Sequence, residues 1–230
     1  MSMTSEHSSN LTENLVSIKN VSKTFFSLTN RTEVRVLQDI TLTANAGEIT
    51  ALMGGNGSGK STLLRLIAGL LKPTSGEIMV FGKKVGSRNF KQLIGYLPEA
   101  PHFHRGISGI DFLEYLGRLR SVPKPRLRAK TWLTRFGIPD NWQYVATNLY
   151  SEGMRERTGL ASAFLTNPPV LLLDEPLENL DQEMKHITIQ LLKEAAKNDN
   201  KIVILAIHPD PDIEPYIDRK YTIKGGRLLN

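Results

Sequence analysis

The stretch Gly54-Gly55-Asn56-Gly57-Ser58-Gly59-Lys60-Ser61-Thr62 constrains this chain more than any other. It fits the pattern GxxxxGK(S/T), in which glycines let backbone N–H groups close on a polyphosphate. The lysine of the pattern reaches the outer phosphates and the hydroxyl helps to hold Mg²⁺. Residues 49–53, Ile-Thr-Ala-Leu-Met, read as a short buried strand leading in, and residues 63–71 as a helix leading out, ended by Lys72-Pro73. The pattern needs strand, loop and helix in that order. The first N–H groups of the helix and the positive end of its dipole then face the phosphates.

The strand and helix alternation around this stretch points to an α/β fold. At 230 residues the chain can bury the core of one large domain or of two small ones, and a single α/β unit is the simpler case. There is no cysteine, which excludes disulfides, thiolate zinc sites and a cysteine nucleophile, and fits a reducing compartment. The first ten residues are polar and lack the apolar centre of a signal peptide, so residues 1–13 are expected to form a solvated tail ahead of a domain over 14–230. The longest apolar runs, near 170–173 and 202–207, have strand length and not the roughly 20 residues that a spanning helix requires. The formal charge of +6 favours an anionic partner without choosing one.

Residues 15–21 and 40–44 alternate as strands, with a polar hairpin loop expected over 27–33. Residues 77–81 form a further strand after the Ser75-Gly76 turn, which implies a small antiparallel sheet beside the parallel one. From 98 to 164 the character is helical. Ile110, Leu113, Leu116 and Leu119 share one helical face, and Trp132, Leu133 and Phe136 mark a second helix ending at Gly137. The basic segment 118–130 reads as a solvated elbow, and His102 and His104 as surface residues. The run Val170-Leu171-Leu172-Leu173 is apolar throughout, as a central strand of a parallel sheet must be. A helix over 183–197, a buried strand over 202–207 and a hairpin turning at Gly225-Gly226 complete the chain.

Asp174 and Glu175 follow the buried run, so two carboxylates emerge at the carboxyl edge of the sheet, where open α/β sheets bind ligands. Asp174 is placed to hold Mg²⁺ in line with Ser61. Glu175 can orient and deprotonate an attacking water, because phosphoryl transfer depends on positioning and charge stabilisation more than on covalent chemistry.

With these residues in order, the chain resembles the nucleotide-binding subunits of ATP-binding cassette (ABC) transporters from about residue 15 to the end. The matching segments are the phosphate loop, Ile94-Gly95-Tyr96-Leu97-Pro98, Tyr150-Ser151-Glu152-Gly153-Met154-Arg155-Glu156-Arg157, Leu171-Leu172-Leu173-Asp174-Glu175-Pro176, Glu178-Asn179-Leu180-Asp181 and Ile207-His208. The resemblance implies a P-loop NTPase (RecA-like) parallel-sheet core, a small antiparallel β subdomain and an inserted helical subdomain at approximately 99–165. It implies an ATPase that binds ATP and Mg²⁺. Two copies, or one copy and a homologous subunit, stack head to tail, and the Ser151–Gly153 segment of one covers the ATP on the phosphate loop of the other. His208 would contact the γ-phosphate, Asp181 would sit at the dimer seam, and Phe25 would stack on adenine, with Phe26 turned to the core by strand alternation.

Three positions depart from the family pattern. Glu99 stands where glutamine is usual, which bears on Mg²⁺ ligation; Glu152 stands within the signature, where it is expected to point outward; and Asn179 stands where a small residue is common. Glutamate after Leu-Pro and a signature ending Gly-Met are most similar to subunits of ABC export systems. The implied protein lies on the cytoplasmic face of a membrane and drives a separate membrane-embedded permease, with no nucleic acid as partner. The alternative within the wider family is a non-transport cassette acting as an ATP-gated clamp or regulatory module.

Overall fold

The computed structural model describes residues 15–26, 31–88 and 90–229; the expected tail over 1–13 and residues 27–30 of the expected hairpin loop lie outside them. The chain runs through β1 (Leu15–Phe26), β2 (Glu33–Asn45), β3 (Ile49–Met53), α1 (Lys60–Ile67), β4 (Ser75–Val80), β5 (Lys83–Lys84) and β6 (Ile94–Leu97). It continues through α2 (Gly109–Leu119), α3 (Pro125–Arg135), α4 (Glu152–Phe164), β7 (Val170–Asp174), α5 (Gln182–Lys193), β8 (Ile202–Ile207), β9 (Arg219–Lys224) and β10 (Arg227–Leu228).

Six strands form the main sheet in the order β10-β9-β3-β8-β7-β6, parallel except for the β9–β10 hairpin. A second, antiparallel sheet has the order β2-β1-β4-β5. The pleat of the main sheet explains the apolar run of β7. Leu171 and Leu173 enter a core shared with α2, α3, α4 and α5, while Val170 and Leu172 enter a second core shared with α1 and the antiparallel sheet. β8 divides in the same way, with Val203 and Leu205 on one side and Ile202 and Ile204 on the other. A strand covered on both faces has no position for a polar side chain until it ends, and β7 ends at Asp174.

Two readings of the sequence need correction. Phe26 is the more exposed of the aromatic pair, at 57% against 39% for Phe25, and does not reach the core. The β1–β2 pairing shifts register at three places between Ile18 and Thr24, so strict alternation fails before it reaches these rings. The basic segment 118–130 is also not one elbow: Pro125 occupies the first turn of α3, where its missing N–H costs nothing, so residues 125–130 are helical. Lys124, in the left-handed conformation at φ 49°, makes the bend. The helix expected over 183–197 is α5 followed by a π turn at Glu194–Asn198.

β6 lies against α4 so closely that Gly95 has no room for a side chain. A Cβ there would sit 2.1 Å from the Ala163 carbonyl oxygen and 2.7 Å from Pro168 Cγ. Gly95→Ala is therefore expected to destabilise the fold by about 2 kcal/mol or more, seen as a lower urea midpoint. An unchanged midpoint would show that the strand and helix part without strain.

Candidate nucleotide site

The central strands β3, β8 and β7 are neighbours, so the segments that leave their carboxyl ends converge. β3 leads into the phosphate loop, β7 ends at Asp174 before Glu175, and β8 leads to His208. The loop turns on glycines that no other residue could replace. Gly54 has φ 153° and a Cβ on it would stand 2.3 Å from the Ile223 carbonyl oxygen. Gly59 has φ 111° and a Cβ on it would stand 2.6 Å from Leu37 Cδ2. α1 starts at Lys60 directly after the loop, with no side-chain cap on its first N–H groups.

Lys60 is buried. Its Nζ donates to the Gly54 carbonyl oxygen at 2.9 Å and lies 3.4 Å from Glu175 Oε1. One residue on, Ser61 Oγ donates to Asp174 Oδ1 at 3.1 Å. Asp174 is fully buried, and its Oδ2 has no hydrogen-bond partner among the described residues. Burial pushes its carboxyl up to about 6; the Ser61 bond opposes that rise, and the Glu99 and Glu175 charges add to it. A half-buried hydroxyl and a buried carboxylate with one oxygen unused are hard oxygen donors, and they fit Mg²⁺. Glu99 lines the same cleft.

Glu175 holds a left-handed backbone at φ 50° and is 8% exposed. Burial raises its pKa, and the charges of Lys60 and His208 hold it down. The His208 N–H donates to Glu175 Oε2 at 3.2 Å, and His208 Nε2 lies 3.5 Å from Glu175 Oε1 and 3.0 Å from Asn56 Oδ1. The imidazole thus ties Glu175 to the phosphate loop. Gly55, Asn56, Gly57, Ser58, Gly59, Lys60, Ser61 and Thr62 line an open cleft of about 550 Å³ with Glu99, Glu175, Glu178 and His208. Its size is that of a small-ligand pocket.

The remaining sequence-predicted residues stand outside this cleft. Phe25 pairs with Val34 on the antiparallel sheet and has Lys23 Nζ 4.8 Å from its ring centroid; Val36, two residues beyond Val34, reaches the cleft. Ser151 caps α4 by accepting from the Met154 N–H at 3.2 Å. Asp181 caps α5 by accepting from the Met184 N–H at 2.9 Å. Gly153 abuts the 178–181 segment, where a Cβ would come 2.8 Å from the Asn179 carbonyl oxygen. Glu152 is exposed, as expected.

Two acidic residues stand in the family segments without a role assigned from the sequence. Glu178 faces Glu175 and His208, and one ligand atom from each of the three lies within 4.8 Å of the others. Glu156 is 3% exposed in α4, and its Oε1 has no partner among the described residues. Burial pushes its carboxyl up to about 8, with the Glu178 and Asp174 charges adding to the shift. Between Arg155 and Arg157 it resembles part of a solvated charged run. Both arginines instead reach backbone carbonyls, Arg155 that of Tyr150 at 2.8 Å and Arg157 that of Gly137 at 2.9 Å. The helical spacing 156, 160, 163, with Leu160 and Ala163 buried, was the available signal.

A phosphate-binding loop before α1, a buried carboxylate opposite its serine and a second carboxylate beside its lysine define a P-loop nucleotide-binding domain. The comparisons with known proteins narrow the class. The chain belongs to the ABC transporter family, which it matches over residues 37–178. It is 34% identical over 194 residues to the ABC transporter ATP-binding protein YxlF of Bacillus subtilis, covering 84% of this chain but only 64% of YxlF. It is 30% identical over 221 residues to HrtA of Staphylococcus epidermidis, an ATP-binding protein named for hemin import, covering 93% of this chain and 98% of HrtA. Among solved structures, the dimeric ATP-binding cassette MJ0796 bound to ADP and Pi superposes with a TM-score of 0.85 at 26% identity, over 94% of this chain and 97% of that one.

Because Glu156 binds its proton more tightly in the folded chain than in the unfolded one, stability falls as pH rises from the ordinary glutamate range towards 8. Glu156→Gln is therefore expected to melt about 3 °C or more above the parent protein at pH 8, with the gap closing near pH 4.5. Parallel melting curves across that range would exclude a buried proton at this position.

Proposed function

We propose that this chain is the energy-converting subunit of a transporter, which hydrolyses MgATP as a head-to-tail dimer and drives a separate membrane-embedded permease. The observation that carries this reading is the meeting of Lys60, Ser61, Asp174, Glu175 and His208 at one sheet edge, over a cleft lined by the phosphate loop. The loop N–H groups and the start of α1 receive the phosphates, and Lys60 turns from Gly54 and Glu175 to the outer phosphate oxygens. Ser61 and Asp174, with Glu99 beside them, would hold Mg²⁺. When bound, that ion neutralises charge on the β- and γ-phosphate oxygens. Glu175 takes the proton of the attacking water, and its raised basicity suits that role. His208, already bridging Glu175 and Asn56, orients the γ-phosphate.

Phe25 stacks on adenine with the ring face away from Lys23. The cap residues Ser151 and Asp181 and the close-packed Gly153 serve the nucleotide of the second copy, and the dimeric MJ0796 cassette supports this arrangement. Among the described residues no helix is long and apolar enough to cross a membrane, so the pathway for the transported substance is assigned to another chain. The helical segment at approximately 99–165 carries the docking surface. Phe103 and Phe112 pack edge to face there at 4.9 Å, and Tyr115 is 55% exposed. On this reading the subunit lies on the cytoplasmic face of the membrane, with no nucleic acid partner. The export direction rests on the resemblance carried by Glu99 and Gly153-Met154 alone.

Lys60→Ala is expected to lower ATP turnover at least about 100-fold. Glu175→Gln should lower it by about 100-fold or more while ATP still binds, so that ATP-bound dimers accumulate in size-exclusion chromatography. Parent-level turnover in either variant removes that residue from its role. Copurification of the tagged chain with a polytopic membrane protein supports the transport reading; recovery with nucleic acid alone contradicts it.

A further inference from the structure

The cleft that is to receive a polyanion is itself acidic. Glu99, Glu175 and Glu178 line it, and Asp174 lies behind Ser61. Three cationic or basic groups face these carboxylates. Lys60 is held by Gly54 and Glu175, Arg65 acts on Asp174 by charge, and His208 is tied to Glu175 and Asn56. No salt bridge joins Glu99 or Asp174 to any described residue, and Asp174 Oδ2 is buried without a partner. Asp174 is buried while Glu99 is exposed at the rim, and the Glu99 charge acts on Asp174; a small dication with oxygen coordination relieves both that repulsion and the unused oxygen.

We propose that Glu99 makes the Ser61–Asp174 pair a divalent-cation site that fills before the nucleotide arrives. The inference rests on the function proposed above and adds an order of binding to it: metal first, then ATP onto a neutralised cleft. A neutral side chain at position 99 would leave one carboxylate and one hydroxyl, too little charge to hold a hydrated dication without help from phosphate oxygens. Two carboxylates and a hydroxyl give a site of modest affinity, with dissociation constants of about 10⁻⁴ to 10⁻³ M.

The test is a Mn²⁺ titration of the nucleotide-free full chain, followed by electron paramagnetic resonance of free Mn²⁺ and repeated with Mg²⁺ as competitor. One Mn²⁺ per chain, displaced by Mg²⁺ and weakened at least tenfold in both Glu99→Gln and Asp174→Asn, is the expected result. Absence of Mn²⁺ binding at millimolar metal overturns the proposal, as does equal affinity in Glu99→Gln. Binding that survives Glu99→Gln and is lost in Glu178→Gln also overturns it, because the ion would then sit on the Glu175, Glu178 and His208 group. A fluorescent ATP analogue added with Mg²⁺ to the same samples separates the two readings. If the analogue binds but Mn²⁺ alone does not, only the order of binding fails; if neither binds, the nucleotide site itself fails.

Discussion

Asp174 is a carboxylate sealed from water at the end of a strand that is apolar on both faces, and the arrangement of the site follows from keeping it there. An ionised group buried alone costs several kcal/mol, so its neighbours must offset that cost or it takes up a proton. Its one hydrogen bond among the described residues comes from Ser61, at the start of α1. That bond fixes α1 against the carboxyl end of β7, and the loop before α1 must then close over the same edge. The positive φ of Gly54 and Gly59 and the close approach of Ile223 and Leu37 are the local cost of that closure. Asp174 thus links the parallel sheet, the helix and the phosphate loop in one constraint.

Charge balance around Asp174 distinguishes this cleft. Lys60 is the buried cation, and it lies against Glu175, not Asp174. Each acidic residue therefore has its own environment. Asp174 is raised mainly by burial, Glu175 is raised by burial but restrained by Lys60 and His208, and Glu156, further back in α4, makes no ion pair among the described residues and is raised furthest. Under the proposed function, this separation of basicity would let Asp174 serve as a metal ligand and Glu175 as a base, although the two are adjacent in sequence. Glu178 and Glu99 add negative charge at the rim, which is why a cation belongs in the account of nucleotide entry.

Most of this was legible in the sequence because the signals were local. The phosphate loop, the buried run before Asp174 and the carboxylate pair each depend on residues within a few positions, and the parallel central strands follow from their lack of alternation. What was not legible depended on register or on helical phase. Phe26 was misplaced because the β1–β2 pairing slips three times, which no alternation argument can see. Residues 125–130 read as a loop because their charge and Pro125 outweighed a helix that proline begins without penalty. Glu156 was hidden by the arginines on either side, whose outward bonds to carbonyls appear only once α4 is packed. Glu178 was read only as part of a family motif; its approach to His208 spans two strand ends.

The most direct measurement is a crystal structure of the chain soaked or grown with a nonhydrolysable ATP analogue and Mg²⁺. The account predicts the β- and γ-phosphates within hydrogen-bonding distance of the N–H groups of residues 55–61 and of Lys60 Nζ, with the metal on Ser61 Oγ and facing Asp174. A nucleotide bound elsewhere, or a metal whose ligands exclude both Ser61 and the Asp174 side of the cleft, would contradict it.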